Sequence, residues 1–100
     1  MAASKSQKIE VQNFNHPDLV KFVDADMYEA MRRAYLGVVP TSAPGLTLDE
    51  IRARLPSRLP QELYPGGARA NWWAKTVQLD LEAKGLVKRD KSVPFRLSKT

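Results

Sequence analysis

Cysteine is absent from this 100-residue chain, and histidine occurs once, as His16. The first absence excludes disulfides, thiolate metal sites and cysteine nucleophiles together. The second leaves His16, which precedes Pro17, without a second imidazole or a thiolate to build a metal centre with. No run of apolar residues approaches the roughly 20 needed to cross a bilayer. The opening residues Met1 to Lys8 are polar and lack the apolar stretch of a signal peptide. The chain is therefore expected to be soluble and cytoplasmic, with no membrane partner, no metal and no cofactor.

Catalytic constellations are scarce as well. Asp24, Asp26, Asp49 and Glu50 lie where helices begin, so capping and favourable dipole contacts account for them better than paired acid–base chemistry. Gly66 and Gly67 precede a helix, but the lysine and hydroxyl residue of a phosphate-binding loop are missing. The sequence predicts a protein that is not an enzyme.

Acidic residues are also short in one place. Residues 1–67 hold eight basic and eight acidic side chains, whereas residues 68–100 hold eight basic and three acidic ones. The whole net charge of +5 thus belongs to the last third, a pattern that suits a polyanionic partner and equally a solvated basic face.

What is present reads as one domain, because 43% hydrophobic and 27% charged residues over this length supply a single core. Residues 1–8 are expected to be a disordered N-terminus and residues 9–100 the folded unit. Ile9 to Phe14 alternates weakly enough to suggest a short strand. Asp26 and Glu29 resemble a capping box, and Met27, Met31, Ala34, Tyr35 and Val38 share one helical face, so a helix is predicted over Asp26 to Val38, ended by Gly37 and Pro40.

A second helix is predicted over Thr47 to Leu55. Thr47 and Glu50 form the box, Leu46 and Ile51 the staple, and Pro56 ends it. Leu59 and Leu63 suggest an irregular bridge as far as the breaker at Pro65, Gly66 and Gly67.

The third helix is predicted over Ala68 to Lys84. Ala70, Trp73, Ala74, Val77 and Leu81 form its core stripe, with Asn71, Lys75, Gln78 and Glu82 on the opposite side. A second apolar stripe of Trp72, Leu79 and Ala83 needs a cover, either the segment Ile9 to Phe14 or another copy of the chain. Gly85 suits the left-handed residue of a Schellman cap that brings Leu86 to Leu81. Leu86 to Asp90 and Pro94 to Ser98 then read as a hairpin. The fold class is mainly α, a three-helix domain with a small antiparallel β-hairpin.

The run Leu79-Asp80-Leu81-Glu82-Ala83-Lys84-Gly85-Leu86-Val87-Lys88-Arg89, followed by Phe95-Arg96-Leu97-Ser98, resembles the third helix and wing of many bacterial winged helix-turn-helix proteins. The run from Pro65 to Leu81, Pro65-Gly66-Gly67-Ala68-Arg69-Ala70-Asn71-Trp72-Trp73, then Ala74-Lys75-Thr76-Val77-Gln78-Leu79-Asp80-Leu81, is similar to a family of short uncharacterised bacterial proteins. The winged-helix resemblance implies a nucleic-acid-binding module, with double-stranded DNA as partner. Arg69, Asn71, Lys75 and Gln78 would face the major groove, and Lys88, Arg89 and Lys91 would form a wing on the phosphate backbone. One departure is the connection from Pro56 to Gly67, far longer than the three or four residues usual between such helices. The same scaffold serves protein–protein interaction elsewhere, so a protein partner or a homodimer is the alternative.

Overall fold

A computed structural model describes residues 7–100. Its elements are β1 (Lys8–Val11), β2 (Lys21–Asp24), α1 (Ala25–Val38), β3 (Leu46–Thr47), α2 (Leu48–Arg54), α3 (Ala70–Ala83), β4 (Val87–Asp90) and β5 (Arg96–Lys99). Single 3-10 turns at Pro56–Arg58 and Pro65–Gly67 carry the long connection between α2 and α3. The result is a mixed α/β fold of three helices and two small antiparallel sheets, β1-β2 and β3-β5-β4. The expectation of a disordered stretch over residues 1–8 falls outside the described residues for 1–6, while Lys8 opens β1. No helix among the described residues is long and apolar enough to cross a membrane.

The three helices begin and end for local reasons. Thr47 caps α2 with a reciprocal box, its Oγ1 accepting from Glu50 N–H at 3.2 Å while Glu50 Oε1 accepts from Thr47 N–H at 2.9 Å. At the end of α3 Leu86 N–H reaches Leu81 O at 2.9 Å and Gly85 N–H reaches Glu82 O at 3.1 Å, with Gly85 at φ 76°. That pair of bonds is the Schellman cap the sequence predicts.

α1 departs from expectation at its start, while its end at Val38 is the predicted one. Its cap is Asp24, which accepts from Met27 N–H at 3.1 Å, and not Asp26. The reason is that β2 runs straight into the helix, so its last residue doubles as the cap. Gly37 lies inside the helix, one residue before that end. A side chain at Gly37 would meet Arg58 Nη1 at 2.7 Å, so the glycine makes room for the turn after α2.

The core sits where the helices and both sheets converge. Met31, Ile51, Val77, Leu81 and Leu97 are wholly buried, and each such aliphatic side chain contributes about 1.5–3 kcal/mol over exposure. Tyr28, Tyr35 and Tyr64 are buried too. Tyr64 donates to Met27 O at 2.7 Å and so ties the α2–α3 connection back onto α1. Burial pushes all three phenols above their ordinary pKa of 10.0; for Tyr28 the hydrogen bond to Asp80 adds to it.

The hairpin β4-β5 gains a third strand. β3 pairs with β5, Leu46 opposite Leu97, and Arg89 of β4 stands opposite Leu97 on the other edge. Gly45, at φ 89°, makes this approach feasible, since a Cβ there would lie 1.9 Å from Leu97 O. The N-terminal hairpin pairs Ile9 with Val23 and Val11 with Lys21, burying Val11 and Val23 against the core. The weak alternation at Ile9 thus marks β1 correctly, while β2 has no counterpart among the predicted elements.

Candidate nucleic-acid interface

α3 is covered on three sides. Its core stripe, Trp73, Ala74, Val77 and Leu81, packs inward as its spacing predicts. On a second side lies the N-terminal segment. Gln12 N–H donates to Asp80 Oδ1 at 2.8 Å and Phe14 N–H donates to Leu79 O at 3.2 Å. Leu79 is buried by this cover, whereas Trp72 stays half exposed and Ala83 exposed.

The third side takes two of the predicted site residues into the fold. Gln78 and Glu82 are buried, with Gln78 Nε2 donating to Glu82 Oε2 at 2.8 Å. Arg89 closes over them from β4 and engages both Glu82 oxygens, through Nε and through Nη2, the latter at 3.3 Å. Its guanidinium is sandwiched between Phe95, 4.3 Å from the ring centroid, and Phe14, 4.9 Å away.

Gln78 therefore has its amide committed inside the fold, and Arg89 is engaged with Glu82. A helical projection places Gln78 and Glu82 opposite the core stripe correctly. It cannot register that the wing and Phe14 fold back over that side. The one sequence signal was chemical: an acid and an amide that need partners, with an arginine seven residues beyond Glu82.

Asp80 is a second buried node. It is fully inaccessible, and its carboxylate accepts from the Tyr28 hydroxyl, from Gln12 N–H, and from Lys84 Nζ at 3.0 Å. These three donors come from α1, the N-terminal segment and α3 itself, so one carboxylate joins three parts of the chain.

The remaining predicted residues are exposed. Arg69 sits immediately before α3 in a left-handed conformation at φ 65°, and Asn71 and Lys75 follow on the first turns. Lys88 is exposed on β4 and Lys91 just beyond it. Trp72 stands among the α3 residues, its ring edge-on to Trp73 at 5.1 Å with Lys21 Nζ 5.1 Å above it.

Of the eight basic residues after Ala68, four are occupied within the fold. Lys84 pairs with Asp80, Arg89 with Glu82 and Arg96 with Glu50, while Lys99 Nζ donates to Leu36 O at 2.8 Å. Arg69, Lys75, Lys88 and Lys91 have no carboxylate within 4.0 Å among the described residues. Among those residues no group of three or more His, Asp or Glu side chains could hold a metal ion.

Residues 8–97 match a family of unknown function, DUF6958. The chain belongs to this family. The match runs from the first residue of β1 into β5, so the N-terminal hairpin is part of the family's unit together with the helices and the β3-β5-β4 sheet. No curated protein and no solved structure matches the chain.

Proposed function

We propose that this member of DUF6958 is a nucleic-acid-binding module on a winged-helix-like scaffold, taking double-stranded DNA against the start of α3 and the wing. The order α1, β3, α2, α3, β4, β5 supports the reading, since it follows the helix, extended connection, helix, helix, strand, strand order of the winged-helix resemblance. The observation that carries the reading is the set of four exposed cations, Arg69, Lys75, Lys88 and Lys91, left without acidic partners in a segment where the others are paired.

The burial of Gln78 narrows this reading. Asn71 remains as the one amide for an adenine edge, while Arg69 and Lys75 can reach either guanine or phosphate, so a larger share of the affinity rests on the phosphate backbone. Fluorescence anisotropy with labelled duplex DNA at two salt concentrations tests it. Four phosphate contacts give a log–log salt slope of about −3.6, and each alanine replacement at Arg69, Lys75, Lys88 or Lys91 flattens it by about 0.9. Absence of duplex binding at micromolar protein and moderate salt refutes the reading.

A protein partner is the second reading, and a specific observation favours it. Val20 and Phe22 are 48% and 64% exposed at β2, apolar surface that a phosphate backbone does not use.

A further inference from the structure

The N-terminal hairpin and its following loop do not close completely on α3. Between them opens a cleft of about 260 Å³. Its apolar wall is Val11, Leu19 and Leu79, one side is the Trp72 indole, and Lys21 and Lys75 line it as well. Trp72 is 50% exposed, an unusual amount for an indole whose neighbour Trp73 is 5% exposed. Neither lysine has a carboxylate within 4.0 Å among the described residues.

Each feature points to the same ligand chemistry. The half-bare indole already carries Lys21 Nζ 5.1 Å above its ring, so a ligand ring that stacks on the indole brings its own anion to that ammonium. Two ammonium groups without acidic partners supply point charges suited to a single anion, whereas the forked geometry that favours a guanidinium is not offered. The volume sets the size. It exceeds the roughly 150 Å³ of a cavity that accepts benzene and lies just below the roughly 300 Å³ at which ligand pockets begin, so one ring with a short substituent fills it.

We propose that this cleft binds a small aromatic anion, one ring carrying a carboxylate or a phosphate, with the ring against Trp72 and the anion between Lys21 and Lys75. The inference goes beyond the nucleic-acid reading and does not depend on it.

Titration of the full chain with benzoate and with phenyl phosphate, followed by nuclear magnetic resonance at the Trp72 indole N–H, tests the proposal. The Trp73 indole N–H serves as the internal reference for the fold. The expected result is a saturable shift at Trp72 with at least one of the two probes, and the tighter one identifies the anion. Benzamide, which keeps the ring, and acetate, which keeps the charge, should each bind at least about tenfold more weakly, the loss set by one missing interaction of ordinary strength.

Lys21→Gln and Lys75→Gln should each weaken binding, and the double variant should remove it while leaving the Trp73 signal in place. The proposal fails if neither probe gives a saturable shift up to about 10 mM, a limit weaker than any specific site of this kind. It fails equally if benzamide binds as well as benzoate, or if the double lysine variant binds as the parent does.

Discussion

Replacing Asp80 by alanine should cost far more than the loss of an ordinary surface carboxylate from a helix. The carboxylate is inaccessible and satisfies the Tyr28 hydroxyl, Gln12 N–H and Lys84 Nζ. Removing it strands the buried Tyr28 donor and the partly covered Gln12 donor, each worth about 1–3 kcal/mol when left unpaired. Lys84 is a third exposed and recovers water, so its share is about 0–1 kcal/mol. The expected loss is about 3–5 kcal/mol, the middle of the range those contributions span. A domain of this size has about 5–15 kcal/mol in all.

Urea unfolding monitored by tryptophan fluorescence should therefore show a large drop in midpoint with an unchanged slope, and the melting temperature should fall by roughly 15 °C. Tyr28→Phe leaves the carboxylate two donors and should cost only about 1–2 kcal/mol. Because both variants break the same bond, their effects should combine with a coupling energy of about 0.5–3 kcal/mol. Amide exchange at Gln12 should accelerate in Asp80→Ala and not in Tyr28→Phe. A loss below about 1 kcal/mol for Asp80→Ala, against the expected loss of about 3–5 kcal/mol, would refute the account of this node.

Three further outcomes follow from the fold. Gly45→Ala should destabilise by at least about 2 kcal/mol and disrupt β3–β5 pairing, since the new methyl collides with Leu97 O, whereas Gly85→Ala meets nothing and should lose only about 1 kcal/mol from its left-handed backbone; comparative urea midpoints decide this. The native state holds its three phenols protonated beyond pH 10.0, the pH at which they ionise in the unfolded chain. Stability should then be fully present below that pH and fall as pH rises above it, with tyrosinate absorbance appearing together with loss of circular dichroism; tyrosinate in a still-folded protein would contradict it. Thr47→Ala should cost about 1 kcal/mol as a lost cap. The hydrogen bond from Thr47 N–H holds the Glu50 carboxyl below its ordinary 4.5, so Glu50→Gln should differ from the parent above that pH and converge with it on acidification, as equilibrium unfolding across an acid series will show.

Much of the architecture is written in short-range signals. The box at Thr47 and Glu50, the breaker at Pro65 to Gly67 and the glycine at position 85 each act on neighbouring backbone, and each element they delimit stands where expected within a residue or two. Spacing alone also assigned Trp73, Val77 and Leu81 to the core, because a helix in contact with anything apolar must bury its continuous stripe. The charge asymmetry is likewise a property of composition.

Local signals did not reveal which surfaces were already taken. β2 carries exposed Lys21 and Phe22 and reads as unpatterned, yet it pairs with β1 and delivers Asp24 as the cap of α1. Asn71 and Gln78 lie on one side of α3 by projection, but Asn71 is exposed, whereas Gln78 is buried and bonded to Glu82, which holds Arg89 of β4 beside the distant Phe14. Periodicity reports the direction in which a side chain leaves its helix. Whether water or another segment meets it there depends on contacts between residues far apart in the chain, and only the tertiary structure decides those.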